Sequence, residues 1–405
     1  MSNPFGTSAN AAVVISPLAE VTATSQRLKR ELDALAVTSD QKSSYQAARA
    51  KLRDSGLLGL RVPREMGGAG GTQEHVIAVT RILARADAGI AQLLQPHYGF
   101  TDTIALLPSA QARHRLYQDV LNGERIANAA SERGGKHSAD FTTTLVPEGE
   151  GYRLNGRKYY ATGSIGARWI TVIGKGPHGG QTLAYVPTDA AGVTLQDDWN
   201  GLGQRGSSSG SLILDAVKVP KDYIIPLWDA AHRARAWHES GRLIHAAIDL
   251  GIAEGALDWG AHAVATDQRI PFESPYRLLA EDPVLQYQMG IVSARVRAVA
   301  ALLTETSRLL DAVQQQDAAS LSALQAALEA TKALAADVSL SVSSEVFSWS
   351  GARAADRALR IDRYWRNART HTLHDPVRLR YQELGRSLIA DAAPTFSSTH
   401  QDPQP

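Results

Sequence analysis

His371 and His374 stand three residues apart in the string HTLHD, beside Asp375. On a helix that spacing puts both imidazoles on one face, where they could seat a metal ion. No third ligand accompanies them and Pro376 stops the helix at about that point, so no metal is expected. The same residue types suit another chemistry. Imidazoles and hydroxyls are also neutral donors that can deliver a proton to a reacting group, and His97, Thr162 and His374 are of that kind. Each histidine can equally be a satisfied interior residue, and Thr162 a strand-turn residue. Arg357, Arg360, Arg363, Arg366 and Arg369 recur every third residue. They read either as a solvated helix face or as planar forks for phosphate oxygens.

Two further strings match familiar expressions and fail on context. Gly174, Gly176 and Gly179 in GKGPHGG fit G-x-G-x-x-G, but strand-like QTLAYVP follows where a dinucleotide site needs a helix N-terminus. A hairpin turn is expected there, and no nicotinamide domain is expected within the chain. Gly206, Ser208 and Gly210 fit G-x-S-x-G, yet another strand, SLILDAVKVP, follows in place of the helix a hydrolase elbow requires.

The hydrophobic period changes twice along the 405 residues. Leu28, Leu32 and Leu35, then Val76, Val79 and Ile82, recur at helical spacing, interrupted by Pro63 and the Gly67–Gly71 loop. From about Ile126 to Pro226 come short β-rich runs such as YRLNGRKYYAT, WITVIG and TLAYVP, and helical spacing returns from about Ala230 with an Ala-rich stretch read as bundle core. The expected division is a helical domain over 1–125, a β-domain over 126–229, a helical bundle over 230–392 and a polar, Pro-bearing tail over 393–405, disordered or extended. No internal repeat is seen. The substrate pocket is expected to depend on loops such as Trp228–Trp237.

Composition narrows the function classes. Forty-two basic against 41 acidic side chains leave a net charge of +1, without the basic excess of a nucleic-acid reader. Cysteine is absent, which removes thiolate nucleophiles, disulfides and iron–sulfur clusters. The N-terminal stretch lacks a basic n-region and a long apolar segment, and no run approaches the roughly 18 apolar residues of a membrane span. A cytoplasmic protein is expected.

The order helical, β, helical, with VPREMGGAGG (62–71), NAASERGG (128–135), YYATGS (159–164) and LGQRGSSSGSLILDAVKVP (202–220), resembles the acyl-CoA dehydrogenase superfamily over about residues 20 to 390. DDWNGLGQRGSSSGS, HAAIDLGIAEGA and above all WRNARTHTLHDPVR (365–378) resemble its flavin-dependent monooxygenase branch, that of the dibenzothiophene monooxygenases and sulfur-acquisition oxidoreductases. The resemblance implies an α+β, acyl-CoA dehydrogenase-like fold: N-terminal helices, a central β-barrel domain and a C-terminal helical bundle.

It also implies roles. His97 and His374 take the positions of two histidines facing the flavin, and Thr162 that of a hydroxyl residue near N5. Asn128 and Ser131 line the isoalloxazine edge, with Gly163 and Trp199 close by, and Ser207 and Ser208 add hydroxyl donors. Gly351, Arg369 and the Arg-x-x-Phe pair Arg269 and Phe272 are placed at the flavin phosphate. Arg269 reaches the flavin of a neighbouring subunit, so an oligomer is implied, a dimer of dimers. His371 is expected to be the milder of the two C-terminal histidines to replace.

A dehydrogenase needs a carboxylate base over the flavin. Phe347–Gln382, the stretch that usually supplies it, holds no Glu, although Asp249 and Glu254 stand on an earlier segment used by some relatives. The reading is therefore a two-component monooxygenase acting on a small organosulfur or related heteroatom compound through a flavin C4a-hydroperoxide. FMN, rather than FAD, arrives reduced from a separate NAD(P)H:flavin reductase. The alternatives are an FAD-dependent dehydrogenase and a non-catalytic flavin-binding protein.

Overall fold

The computed structural model describes residues 19–38, 42–135, 140–227, 231–267, 269–315 and 320–392. The expected tail over 393–405 lies outside them. Six helices come first: α1 (Ala19–Thr38), α2 (Lys42–Asp54), α3 (Gln73–Ala84), α4 (Ala88–Ala91), α5 (Leu94–Thr103) and α6 (Ala110–Leu121). Eight strands follow: β1 (Ile126–Ala129), β2 (Thr144–Glu148), β3 (Gly151–Ala161), β4 (Trp169–Lys175), β5 (Gln181–Pro187), β6 (Val193–Gln196), β7 (Gly210–Pro220) and β8 (Ile224–Pro226). Then come α7 (Ala231–Thr266), α8 (Pro283–Gln314), α9 (Ser320–Ser350), α10 (Asp362–Thr372) and α11 (Val377–Ala392). The stretch expected as a loop over 228–237 is helical from Ala231, while 228–230 fall outside the described residues. No helix of the described residues is long and apolar enough to cross a membrane.

One hydrophobic core serves both helical thirds. Val21, Leu28, Leu32, Val76 and Leu83 pack in the same cluster as Leu243, Ile248, Ile252, Val342 and Val346. The GIAEG string explains the closeness. A Cβ at Gly251 would lie 2.6 Å from the Arg81 carbonyl oxygen and one at Gly255 2.4 Å from that of Arg85, so only glycine lets α7 lie this near α3.

The sheet runs β6-β7-β3-β2-β4-β5-β8, with β1 pairing parallel to β4 off that path. Among the described residues no ladder joins β6 to β8, so the domain expected as a barrel is an eight-stranded sheet open at that edge, packed over Leu154, Val172, Val186, Leu212 and Val217. GKGPHGG is the turn of the β4–β5 hairpin, where Lys175 pairs with Gln181, and G-x-S-x-G leads straight into β7. A second core holds the sheet to α5 and α6 through Phe100, Leu116, Tyr117, Trp169 and Tyr185.

Glu132 of the SERGG string anchors the segment after β1. It accepts the backbone N–H and hydroxyl of both Thr142 and Thr143 and pairs with the fully buried Lys158 at 2.8 Å. Burial opposes its ionisation, but those bonds, led by Lys158, outweigh it and hold the carboxyl down at about 2. A carboxyl depressed in the folded state stabilises above its unfolded pKa and loses that contribution as pH falls. The loss is expected between about pH 5 and 2. Lys158→Met strips Glu132 of its counter-ion and should cost about 3–5 kcal/mol at pH 7, read as a lower denaturant midpoint. A variant as stable as the parent chain would remove this anchor role.

Candidate active site

Three segments of the sheet domain converge. The Asn128 N–H donates to the Thr162 carbonyl at 3.2 Å, and the Gly163 N–H to that of Ser207 at 2.9 Å. The hydroxyls of Thr162 and Ser209 lie 3.0 Å apart, and Ser207 bonds Ser209 at 2.8 Å and donates to the Gln204 carbonyl at 2.7 Å. The backbone here is strained: Tyr160, Gln204 and Ser208 have φ of 58°, 54° and 44°, three of the five non-glycine residues with positive φ among those described. Each such conformation costs about 1–3 kcal/mol and persists only where its surroundings over-determine it.

Helix α10 supplies that constraint. Thr370 Oγ1 accepts the Gly203 N–H at 2.8 Å, and Asn367 Oδ1 the Gln204 N–H at 2.7 Å. A Cβ at Gly203 would stand 2.2 Å from the Arg366 carbonyl oxygen. The strings LGQRGSSSG and WRNARTHTLHDPVR are thus two halves of one joint. From beneath, the buried Arg125 donates to the carbonyls of Gly163 and Ile165, both at 3.0 Å. Burial, then Arg49, lowers its guanidinium to about 10. Arg49 donates to Ser208 Oγ at 2.8 Å.

Beside this cluster the helices carry a line of polar side chains. His371 Nδ1 lies 2.6 Å from Asp249 Oδ1 and its Nε2 3.0 Å from Gln92 Oε1, while Lys332 donates to Asp249 Oδ2 at 2.9 Å. The Gln92 amide nitrogen meets His245 Nε2 at 3.3 Å, and the His245 ring stands edge-on to His374, 4.3 Å between centroids. Burial pushes Asp249 up, but Lys332 and His371 more than reverse this and hold it at about 2. His245 and His374 are both lowered, first by surrounding protein and then by neighbouring cationic groups, His374 to about 4. His374 is exposed in the single chain, and the line joins the strained loops through Leu93, next to Gln92, against which Gly163 packs.

The structure sorts the expected residues. Asn128, Thr162, Gly163, Ser207 and Ser208 are together, and Trp199 joins them, its indole N–H donating to the Gln204 carbonyl at 3.0 Å. Ser131 stands near, its carbonyl accepting from the Tyr159 N–H at 3.0 Å. His97 is not in the group. It is fully buried, its Nε2 bonded to the Leu58 carbonyl at 2.9 Å and its Nδ1 accepting the Ile126 N–H at 3.2 Å, so neither nitrogen is left for a ligand. Burial lowers it to about 4. His371, expected to be the mild one, is buried with both ring nitrogens engaged, on Asp249 and Gln92.

Arg269 and Gly351 lie elsewhere in the chain, beyond the far end of α7, about 26 Å along its axis from Asp249. Both adjoin the Asp267–Arg353 ion pair and both are exposed. Arg369 is exposed on α10. The arginine run divides: Arg363 is buried over the Tyr364 ring, Arg366 pairs with Asp362, and Arg357 and Arg369 face outward.

Gln92, His245, Lys332 and Arg125 escaped sequence reasoning. Two left signals: His245 and Asp249 lie one helical turn apart in HAAIDLG, and Lys332 continues the buried row Leu324, Leu328 at the same four-residue step.

Asn128 Oδ1, both amide ends of Gln204 and Ser164 Oγ are buried with no partner among the described residues. Orphaned buried polar atoms call for a ligand or water. A flavin ring, with N–H and C=O groups on one edge, fits this set of uncommitted donors and acceptors.

Residues 21–124, 127–217 and 243–378 match the acyl-CoA dehydrogenase N-terminal, middle and C-terminal domains respectively. Dibenzothiophene monooxygenase of Rhodococcus qingshengii is 33% identical over 366 residues, 85% of this chain and 87% of that protein. A probable FMNH2-dependent monooxygenase, SfnC of Pseudomonas putida, is 31% identical over 89% of this chain and 92% of its own. The FMN-bound structure of TdsC from Paenibacillus sp. A11-2 superposes with a TM-score of 0.85 at 28% identity, covering 93% of this chain and 98% of that one. Three domains matched in order, on a fold whose two signature strings meet at one joint, make this chain a member of the acyl-CoA dehydrogenase family.

Proposed function

We propose that the chain is the oxygenase of a two-component system, an FMNH2-dependent monooxygenase. It inserts an oxygen atom from O2 into a small organosulfur or related heteroatom compound and takes reduced FMN from a separate NAD(P)H:flavin reductase. The observation that carries this reading is how the carboxylates are used. Asp249 is held by Lys332 and His371, and Glu254 is gripped by both arms of Arg81, so neither is free to abstract a substrate proton. The site presents imidazoles, hydroxyls and amides instead. The relatives named above support the same class of substrate and the same flavin.

Reduced FMN, when bound, supplies the electrons that activate oxygen. The protein's part is to hold the ring and manage one proton. Asn128 and Gln204 take the ring's polar edge, with Ser131, Gly163 and Trp199 bordering it, and Thr162, Ser207 and Ser208 contribute hydroxyl donors. His374, kept neutral by its surroundings at pH 7, has an N–H to donate and exposure enough to be re-protonated from water. Arg269, Gly351 and Arg369 are assigned to the phosphate end, with Arg269 acting on a neighbouring subunit, because in the single chain it lies past the far end of α7 from Asp249. Dependence on an NAD(P)H-fed reductase argues for the cytoplasm.

Titration should show tighter binding of FMNH2 than of FADH2 and no NADH consumption by the chain alone; tightly held, stoichiometric FAD in the purified protein sinks the assignment. His374→Ala should lower oxygenation by about 10²- to 10⁴-fold while FMN affinity stays near that of the parent, with more hydrogen peroxide released per flavin oxidised. Unchanged product yield per flavin would leave His374 a packing residue. His97→Ala should instead lose stability with that yield retained. Light scattering is expected to give a tetramer, formed through the apolar side chains exposed on α8 and α11, such as Tyr287, Leu388 and Ile389. A stable monomer that still binds FMN would refute a flavin site shared between subunits.

A further inference from the structure

A cation taken out of water is costly unless an opposite charge meets it. Arg125 is 3% exposed, and the groups that its two arms hold, the carbonyls of Gly163 and Ile165, are neutral. Cβ atoms at Gly163 and Gly166, both with φ of 75°, would stand 3.0 and 3.6 Å from its guanidinium nitrogens, so glycine lets this turn lie against the charge. A second arginine serves the adjoining turn. Arg49 of α2 donates to Ser208, and Ser207 beside it accepts the Gly163 N–H.

The carboxylates that act on the pair are Glu124 on Arg125, and Asp197 and Asp87 on Arg49; Asp87 also accepts the Gly89 and Ile90 N–H groups. They do not make up for burial. Surrounding protein and then Arg49 lower the Arg125 guanidinium despite Glu124, and burial lowers that of Arg49 despite both aspartates. His97, near enough for Arg125 to lower it further, is neutral at pH 7 and supplies no counter-charge. The two turns above these cations carry Ser164 and Gln204, whose buried polar atoms have no partner among the described residues. An anion seated there would supply the missing charge.

A flavin answers to that need in one of its two states. Two electrons and one proton convert the neutral oxidised ring into one that carries a negative charge at N1, and a fixed cation nearby favours that form through its field. We propose that Arg125, backed by Arg49, selects the oxidation state of the flavin, making the site hold the anionic reduced ring in preference to the oxidised one. An oxygenase fed by a separate reductase has to capture reduced flavin and let oxidised flavin go. The inference rests on the flavin site of the proposed function and is independent of which substrate is oxygenated.

The test is equilibrium binding of oxidised and, under anaerobic conditions, reduced flavin to the full chain. Each is measured with FMN and with riboflavin, which has the ring and no phosphate. The parent should prefer the reduced form of both, and Arg125→Met should lower the reduced-to-oxidised affinity ratio by about tenfold or more for both. Arg125→Lys, which keeps the charge and gives up the two-armed hold on the turn, should weaken both oxidation states while keeping most of the ratio. Absorbance of the bound reduced flavin adds a readout that a loosened turn does not move. The ring should take up its N1 proton at higher pH in Arg125→Met than in the parent.

A parent that binds both oxidation states equally overturns the proposal, as does Arg125→Met with the parent's ratio. Loss of FMN but not riboflavin in that variant gives Arg125 to the phosphate and overturns it too. If Arg125→Met does not fold, Arg49→Met, which leaves the Gly163 and Ile165 bonds in place, must still lower the ratio; an unchanged ratio there overturns the proposal. A parent that binds no flavin refutes the proposed function and this inference together. Redox-selective binding without oxygenation refutes the oxygenase reading and leaves the role of Arg125 standing.

Discussion

A carboxylate buried in the middle of a helical core, out of reach of water, must be met by cations and donors or it cannot remain charged. Asp249 sits there, fully buried on α7, and its needs organise what surrounds it. Lys332 comes from α9, His371 from α10, and Gln92 arrives through His371 from the turn before α5. Elements more than two hundred residues apart in the chain are thereby held to one register. If any of them slipped by a turn, a charge or a hydrogen-bonding group would be left stranded in apolar surroundings.

That register is passed on to the loop that borders the site. Because His371 fixes α10, Asn367, one turn before it, and Thr370, next to it, meet the backbone of Gln204 and Gly203. The loop they hold contains left-handed Gln204 and Ser208 and presses its glycine at 206 against Gly89. A rigid, ion-paired helix thus supports a strained loop, and the strain is concentrated where orphaned amide groups wait for a ligand. Arg125 closes the arrangement from below with two carbonyl hydrogen bonds to set against its desolvation.

A single chain does not bring every expected contact together. The segment with Arg269 and exposed Phe272 lies past the end of α7, about 26 Å along that helix from Asp249. A fully exposed phenylalanine beside an exposed arginine is an unfavourable surface for an isolated chain, and one suited to cover by another copy.

Sequence alone determined the order of helices, strands and helices, because hydrophobic period is a local property: Leu28, Leu32 and Leu35 define a helix face whatever they pack against. It also sufficed to dismiss the two false motifs, since whether a strand or a helix follows a glycine turn is read from the next few residues. The hydroxyl and amide cluster at Asn128, Thr162 and Ser207 was legible for a related reason, as these residues fall in turn-rich strings that resemble known ones. The open sheet, the common core of both helical thirds and the true company of each histidine were decided only by the tertiary structure. His97 and His374 are the same residue type in similarly polar strings. One is consumed by two backbone groups and the other faces a ring on α7, a difference that depends on partners 29 to 129 positions away. Lys332 reads as an ordinary lysine in an alanine-rich helix until Asp249 is placed opposite it, because the charge a buried cation answers to is not encoded in its own neighbourhood.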